Sequence, residues 1–339
     1  MSRILLLNAH SILEYDELRL YTELGHDCFS VGAYVNPAAP ADDKRPPLPQ
    51  APYHPDLAEL VAGNQMERKA NLPLGLLDWA EVAIISAFEG PWLAGQWPKW
   101  QAFLAQGKRV VWRTIGQSTG LNEAAMVPLA KAGLEIVRYS PKERNLVPFA
   151  GETALIRFYK DPAEWGGWVG DDRVVTNVTQ DLFRRHPATN FEYWALATEG
   201  LPTMPIGSGS SEIGGSGPLS YPAMQAALRD CRAYLYTGTQ PASYTLGLIE
   251  AMMTGIPTFS IGPGWMMHPE LFEGHEIVTD FPGDVVEMWS DNPSTAQRIL
   301  KRWLEHEGEA ERISRWQRKR AIELFGKHVA LAAWGEFLG

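Results

Sequence analysis

Short apolar runs alternate with helix-length segments along almost the whole chain. In the first half, Arg3–Asn8, Asp27–Val31, Glu81–Ser86, Arg109–Trp112 and Glu135–Tyr139 read as strands; in the second, Arg173–Val178, Thr203–Ile206, Ala233–Tyr236 and Thr258–Ile261 do so. Helical spacing fills the intervals: Leu13–Leu24, ended by Gly25, then Phe191–Glu199, Tyr221–Asp230 and Ser243–Thr254, and nearly all of the tail from Asn292 to Leu338. Repetition of strand, helix and strand predicts parallel sheets covered on both faces. Ligands on such sheets gather at the carboxyl ends of the strands. The Pro- and charge-rich stretch Asn36–Pro55 is a loop, and Lys160–Asp172, with Trp165, Gly166, Gly167 and Trp168, reads as an interdomain connection. Ile206–Pro218 is Gly/Ser-rich and reads as a flexible loop; it lacks the spacing of a dinucleotide fingerprint.

A chain of 339 residues has room for two such domains. A net charge of −10 argues against a broad basic surface for nucleic acid, leaving only the local clusters Arg312–Arg320, Lys108-Arg109 and Arg184-Arg185. No apolar run approaches the about 18–20 residues of a membrane span. The start, Met-Ser-Arg-Ile-Leu-Leu-Leu-Asn, reads directly into a strand without a signal-peptide pattern, and Cys28 and Cys231 are far apart, so buried inert thiols and a cytoplasmic location are expected.

The chemistry concentrates in residues 241–257, Pro-Ala-Ser-Tyr-Thr-Leu-Gly-Leu-Ile-Glu-Ala-Met-Met-Thr-Gly-Ile-Pro. Glu250 has apolar neighbours almost throughout, and an unpaired buried carboxylate costs about several kcal/mol, so it needs donors. Ser243 reads as an N-cap, which places the amides of Tyr244, Thr245 and Leu246 at a helix N-terminus, a ready anion site. An anion there and a hydroxyl-binding carboxylate two turns in describe a nucleotide-sugar pocket. The alternative is a core carboxylate paired with a structural Arg. Thr237 follows the preceding strand and borders the nucleoside in this reading, and Gly207 joins the donor side from the Gly/Ser-rich loop. Arg113 opens the polar turn Arg113-Thr-Ile-Gly-Gln-Ser118 and, with Arg185, is a candidate cation for a departing phosphate. Glu89 is a candidate base. His10, Ser11, Gln117 and Trp265 stand on turns suited to an acceptor. Trp97, Trp100 and Trp112 read either as a sugar platform or as core.

These residues resemble the retaining GT-B glycosyltransferases, a fold of two Rossmann-like αβα domains facing a cleft. The resemblance spans the chain in organisation and is specific over Tyr236–Gly262, where Glu250, Ala251, Met252, Gly255 and Pro257 fit the second half of Glu-x7-Glu-Ala-Met-x-x-Gly-x-Pro. It implies that Glu250 holds the donor ribose and that amides over Ser243–Leu246 hold the donor phosphates. Ala242 stands where the family has its first Glu. Arg184 or Arg185 stands for the family's Lys, its Arg has no counterpart, and Ser86-Ala-Phe-Glu-Gly90 lacks its His. The implied boundaries are a first domain over 1–155, a second over 156–315 and a closing helix over 316–339 that crosses back to the first.

The expected activity is metal-independent transfer, with retention, of a sugar from a nucleoside diphosphate, UDP-linked, to an acceptor hydroxyl; no resident cofactor is expected, and no Asp-x-Asp motif stands in a suitable loop. The acceptor is a small molecule, a glycan or, by loose likeness to bacteriophage enzymes, a hydroxymethylated DNA base. The loss of the first Glu leaves a non-catalytic sugar-nucleotide binding protein as a further alternative.

Overall fold

The apolar runs form two parallel sheets. The computed structural model describes residues 1–41, 45–61, 63, 68–69, 71–86, 90–116, 118–279 and 287–339. The first sheet comprises β1 (Arg3–Asn8), β2 (Asp27–Ser30), β3 (Val82–Ser86), β4 (Arg109–Arg113), β5 (Glu135–Arg138) and β6 (Ala154–Leu155), in the order β2-β1-β3-β4-β5-β6. The second comprises β7 (Asp172–Val178), β8 (Thr203–Ile206), β9 (Cys231–Tyr236), β10 (Thr258–Ile261) and β11 (Trp289–Ser290), in the order β11-β10-β9-β7-β8. Every described pairing is parallel. Counted from its own first strand, the second sheet repeats the order of the first: second, first, third, fourth, fifth. Each sheet therefore reverses direction once, between β1 and β3 and between β7 and β9, and such switch points are where open α/β sheets take ligands.

The chain divides into two compact units, Met1–Phe158 with Ala330–Gly339, and Tyr159–Val329. In the first, α1 (Ser11–Glu23), α2 (Pro55–Glu59), α3 (Leu74–Trp79), α4 (Gly90–Gly95), α5 (Trp97–Leu104) and α6 (Gly120–Lys131) connect the strands. Leu5, Leu7, Ala83, Ile85 and Val110 pack with Trp97, Trp100, Phe103 and Trp112 in one core. The three tryptophans are thus core and not a sugar platform; a fully buried Phe-sized side chain contributes about 1.5–3 kcal/mol.

In the second unit, α7 (Phe191–Ala197), α8 (Tyr221–Asp230), α9 (Leu246–Thr254), α10 (Gly274–Thr279), α11 (Pro293–Glu305) and α12 (Glu307–Phe325) follow. The apolar α9 is buried from Gly247 to Thr254. It ends at Gly255, whose φ of +99° closes a left-handed cap with bonds to Ala251 O and Met252 O. Arg318 of α12 donates from Nε to Met253 O at the end of α9 and from Nη2 to Pro162 O and Trp165 O. Gln317 takes the place of a neighbouring strand, accepting from Thr258 N and donating to Thr258 O, both at 2.8 Å.

The tail holds two helix breaks. Gly326 is extended and bridges in parallel to Lys160 before α13 (Lys327–Leu338) begins. Near its end, Trp334 stands edge-on to Tyr21 with ring centres 4.9 Å apart. The Gly/Ser-rich stretch after β8 is tied rather than open: Gly207 N donates to Gly217 O and Gly217 N to Ser210 Oγ. Both cysteines are buried, and burial pushes each thiol up to about 12, as inert thiols require.

Candidate functional site

β9 ends at Tyr236, and the chain turns through residues 237–245 before α9 starts at Leu246. The start lies later than the Ser243 cap predicted. Thr245 occupies the N-cap position with extended backbone and without a side-chain capping bond. Burial pushes the Tyr236 phenol up, while the neighbouring Thr245 hydroxyl and amide pull the other way. Ser243 is buried and accepts from Glu273 N at 2.9 Å. Tyr244 packs in the core against Phe325, with ring centres 5.4 Å apart. The orphan donors of this helix are consequently those of Leu246, Gly247 and Leu248, because the first bond back to the cap runs from Ile249 N to Thr245 O. Of the predicted amides, only Leu246 belongs to this set.

This N-terminus stands against the end of β7. A Cβ on Gly247 would lie 2.9 Å from Val178 O and 3.1 Å from Tyr234 Oη. Asn177, one residue earlier on β7, donates to Leu235 O at 2.7 Å across the switch point, and its Oδ1 is buried without a hydrogen-bond partner. Thr237 is fully buried, and its carbonyl accepts from Asn190 Nδ2 at 2.7 Å. Asn190 itself sits at φ 54°, in the left-handed region.

Two further loops flank the same end of the sheet. A Cβ on Gly207 (φ +134°) would lie 2.5 Å from Thr179 O, so the loops after β7 and β8 touch backbone to backbone. Arg185 is exposed on the first of them, and its Nη1 reaches only Gln180 O, at 3.4 Å. Arg184 is taken by Glu212. Trp265, after β10, donates from Nε1 to Asp291 O and stands edge-on to Tyr193. Gln240 joins its loop to the β9 loop, donating to Trp265 O and accepting from Met267 N.

Glu250 lies one turn after Leu246, on the same face of α9. Its carboxylate meets a cation that the sequence reading did not assign: Lys160 Nζ is 2.8 Å from Oε1, with the side chains 1% and 3% exposed. The alternative of a core carboxylate needing a buried cation is met here by Lys160. One signal for it was present, because Lys160 follows the aromatic pair Phe158-Tyr159, and a Lys beside buried aromatics needs an anion.

In the first unit the candidates do not assemble a site. Arg113 is 1% exposed. Its Nε donates to Glu17 Oε1 at 3.2 Å, its Nη1 to Ile156 O at 2.6 Å, and its guanidinium lies over the Phe158 and Trp334 rings. It is an internal tie and not a cation offered to a leaving group. His10 occupies the cap position of α1, with its amide donating to Asn8 Oδ1, and Ser11 is the first helical residue. Glu89 and Gln117 lie outside the described residues. The other basic clusters are largely consumed by protein acceptors: Lys108 by Leu77 O and Asp78 O, Arg109 by Glu135 and Phe337 O. Among the described residues, no group of three or more His, Cys, Asp or Glu is placed to hold a metal ion. A pocket of about 490 Å³ beside Glu199–Leu201 and α11 lies at the opposite, amino end of β8.

No family model matches the chain, and no curated protein matches it by sequence. Solved structures do match by shape. A glycosyltransferase from Rickettsia africae superposes with a TM-score of 0.66 at 10% identity, over 99% of this chain and 97% of that one. Anabaena HepE, solved with UDP and glucose, superposes at 0.62 with 11% identity, over 100% and 99%. The fold is GT-B. S. aureus TarM, in a complex with fondaparinux, alpha-GlcNAc-glycerol and UDP, gives 0.57 at 13% identity, covering 76% of this chain. The chain spans only about half the length of TarM, 55%. No described helix is long and apolar enough to cross a membrane.

Proposed function

We propose that this chain is a glycosyltransferase that takes a sugar from a nucleoside diphosphate, UDP-linked, and passes it to an acceptor hydroxyl with retention of configuration and without a metal ion. The observation that carries this reading is the start of α9. Three unpartnered amides stand at the switch point of the second sheet, with a carboxylate on the same face one turn further, about 6 Å along the axis. That separation matches a nucleotide's phosphate and its ribose. UDP and UDP-glucose complexes of HepE, which shares the fold over its full length, support the choice of nucleotide.

The chemistry follows from the donor set. As the bond from sugar to phosphate breaks, negative charge grows on the diphosphate. Preorganised N–H groups and the positive end of the helix dipole stabilise that charge more than they stabilise the intact donor. Arg185, exposed on the neighbouring loop, supplies a mobile cation to the same phosphates. The acceptor hydroxyl attacks on the face the phosphate leaves, and the departing phosphate oxygen takes its proton. His10, Ser11 and Trp265 are the described residues proposed for the acceptor in this reading. Arg113 is withdrawn from it. A DNA acceptor finds no support: of the basic helix Arg312–Arg320, Arg318 is turned inward to backbone carbonyls.

Thermal unfolding with a panel of nucleoside diphosphates and their sugar conjugates, with Mg²⁺ and with EDTA, tests this. A bound nucleotide at 100 times its dissociation constant stabilises by about 2.7 kcal/mol. The expected result is a shift with UDP that EDTA does not abolish, followed by release of free UDP from a UDP-sugar. No shift with any nucleotide would overturn the donor site; a shift without turnover of any sugar conjugate would favour a binding protein.

A further inference from the structure

Lys160 sits where the chain enters the second unit, yet it reaches the middle of α9. Its position is fixed at several points. Its amide donates to Phe325 O at 2.9 Å, and it bridges in parallel to Gly326. Its ammonium lies 5.8 Å from the centre of the Trp165 ring. The next residue, Asp161, pairs with Lys327 at 3.0 Å. The two segments through which the chain enters and leaves this unit are therefore bound to each other, and the Lys160 head group runs from that junction to Glu250 Oε1 at 2.8 Å.

A carboxylate buried this deeply stays ionised and in place only with a cation beside it. An ionised carboxylate accepts from hydroxyl donors; a protonated one has lost part of that capacity. Glu250 also shares its helix face with Leu246, so its rotamer decides how far its oxygens stand from anything held at the helix start.

We propose that Lys160 is a positioning residue for donor recognition: by holding Glu250 ionised and oriented, it lets that carboxylate read the ribose 2′-hydroxyl of a nucleoside diphosphate whose phosphates lie at the start of α9. This rests on the donor site proposed above and adds a specificity-determining residue from a segment remote in sequence. Lys160 acts through Glu250 and does not touch the nucleotide.

The test is titration calorimetry with UDP and 2′-deoxy-UDP on the full chain and on K160M, E250Q and K160M/E250Q. The wild type is expected to bind UDP about tenfold more tightly than 2′-deoxy-UDP, the loss of roughly one charge-assisted hydrogen bond. In K160M that ratio falls to within about threefold while the affinity for 2′-deoxy-UDP changes by less than about twofold, a pattern that a purely structural role, which lowers both affinities together, does not give. E250Q shows the same lost ratio. K160M/E250Q, which removes both members of the pair together and stays informative if K160M does not fold, matches E250Q alone. A folded K160M with the wild-type ratio overturns the proposal and leaves the donor site standing. A further loss in K160M/E250Q beyond E250Q also overturns it, because Lys160 would then contact the nucleotide itself. A wild type that binds neither nucleotide, or both equally, removes the ribose reading on which the proposal rests.

Discussion

The two sheets share one strand order and differ in what their polar residues do at the carboxyl ends. In the first unit these groups are turned on one another. Glu14 of α1 accepts from Ser30 Oγ and from the amides of Ala33 and Tyr34. Glu17 takes Asn8 Nδ2 and Arg113 Nε. Glu123 forms a two-point pair with Arg138, and Glu143 accepts from Thr114 Oγ1 and Tyr139 N as well as the Ser118 hydroxyl. In the second unit Asn177, Thr237 and Asn190 stand at the switch point, Lys160 pairs with Glu250 inside α9, and the helix that begins there keeps its first amides open. Equal topology thus gives two ends of different chemistry. One is closed by internal ion pairs that fix loops, the other leaves the amides of a helix start without backbone partners.

Breaking the first kind of end should have the largest effect and no effect on the second. Arg138→Ala leaves both Glu123 oxygens and the nearby Glu143 without their cation, in a place where neither side chain of the pair is exposed. Removing one partner of a buried pair costs about 3–5 kcal/mol. In urea, the unfolding transition of the first unit should move to lower denaturant by that amount, with UDP affinity of the folded protein unchanged. A lost UDP affinity in folded Arg138→Ala would mean that the two ends are not separate devices.

Gly247→Ala should act in the opposite sense. Its Cβ meets a carbonyl and a buried phenol that have no room to give, so the first turn of α9 has to move. Overpacking of this kind costs about 1–3 kcal/mol, and the donor amides move with it. The expected readout is a weakened UDP titration beyond any loss of melting temperature. Gly308→Ala is its control: nothing lies within 4 Å of that added Cβ, in the first turn of α12. There the same substitution should stabilise by about 0.4–1 kcal/mol by restricting the unfolded chain, with UDP binding unchanged. A weakened UDP affinity in both variants would detach the effect from the helix start.

The comparison also shows what a sequence read without coordinates contains. Strand positions were legible because burial on both faces writes itself as an apolar run: Arg3–Asn8, Thr203–Ile206 and Thr258–Ile261 agree with the structure at both ends. The helix start at Leu246 was missed because Ser243 and Thr245 are both acceptable caps by composition, and close packing against Val178 and Tyr234, not the hydroxyl, selects between them. Arg113 looked available because a polar turn follows it. Its acceptors, Glu17 and Ile156 O, come from far along the chain in either direction. Lys160 was hidden for the same reason. Local pattern says that a buried Glu needs a partner but not which distant residue supplies it, since that choice is made by tertiary packing.

The smallest expected effect is a slope against pH, and it separates the two ends without a ligand. Burial raises the carboxyls of Glu14, Glu17 and Glu143 above their ordinary value of 4.5, against the pull of their hydrogen bonds and cations. A raised folded pKa means that the folded state binds the proton more tightly than the unfolded one, so unfolding free energy falls with rising pH. Their contribution is complete below 4.5 and is lost as pH rises through the folded values. The first unit should therefore weaken between weakly acidic and neutral solution, a window in which unfolding driven by acid runs the other way. Glu143→Gln keeps an oxygen acceptor for Thr114 Oγ1 and Tyr139 N, presents its NH2 to the Ser118 hydroxyl, which can accept, and does not titrate. Followed through the transition that Arg138→Ala displaces, this variant should show a flatter decline than wild type from pH 4.5 upward, and at neutral pH it should be the more stable of the two. The transition of the second unit should be the same in both proteins. Parallel curves for wild type and variant would mean that Glu143 is held ionised in the folded protein by Arg138, and that the closed end of the first sheet is balanced in charge rather than holding a proton.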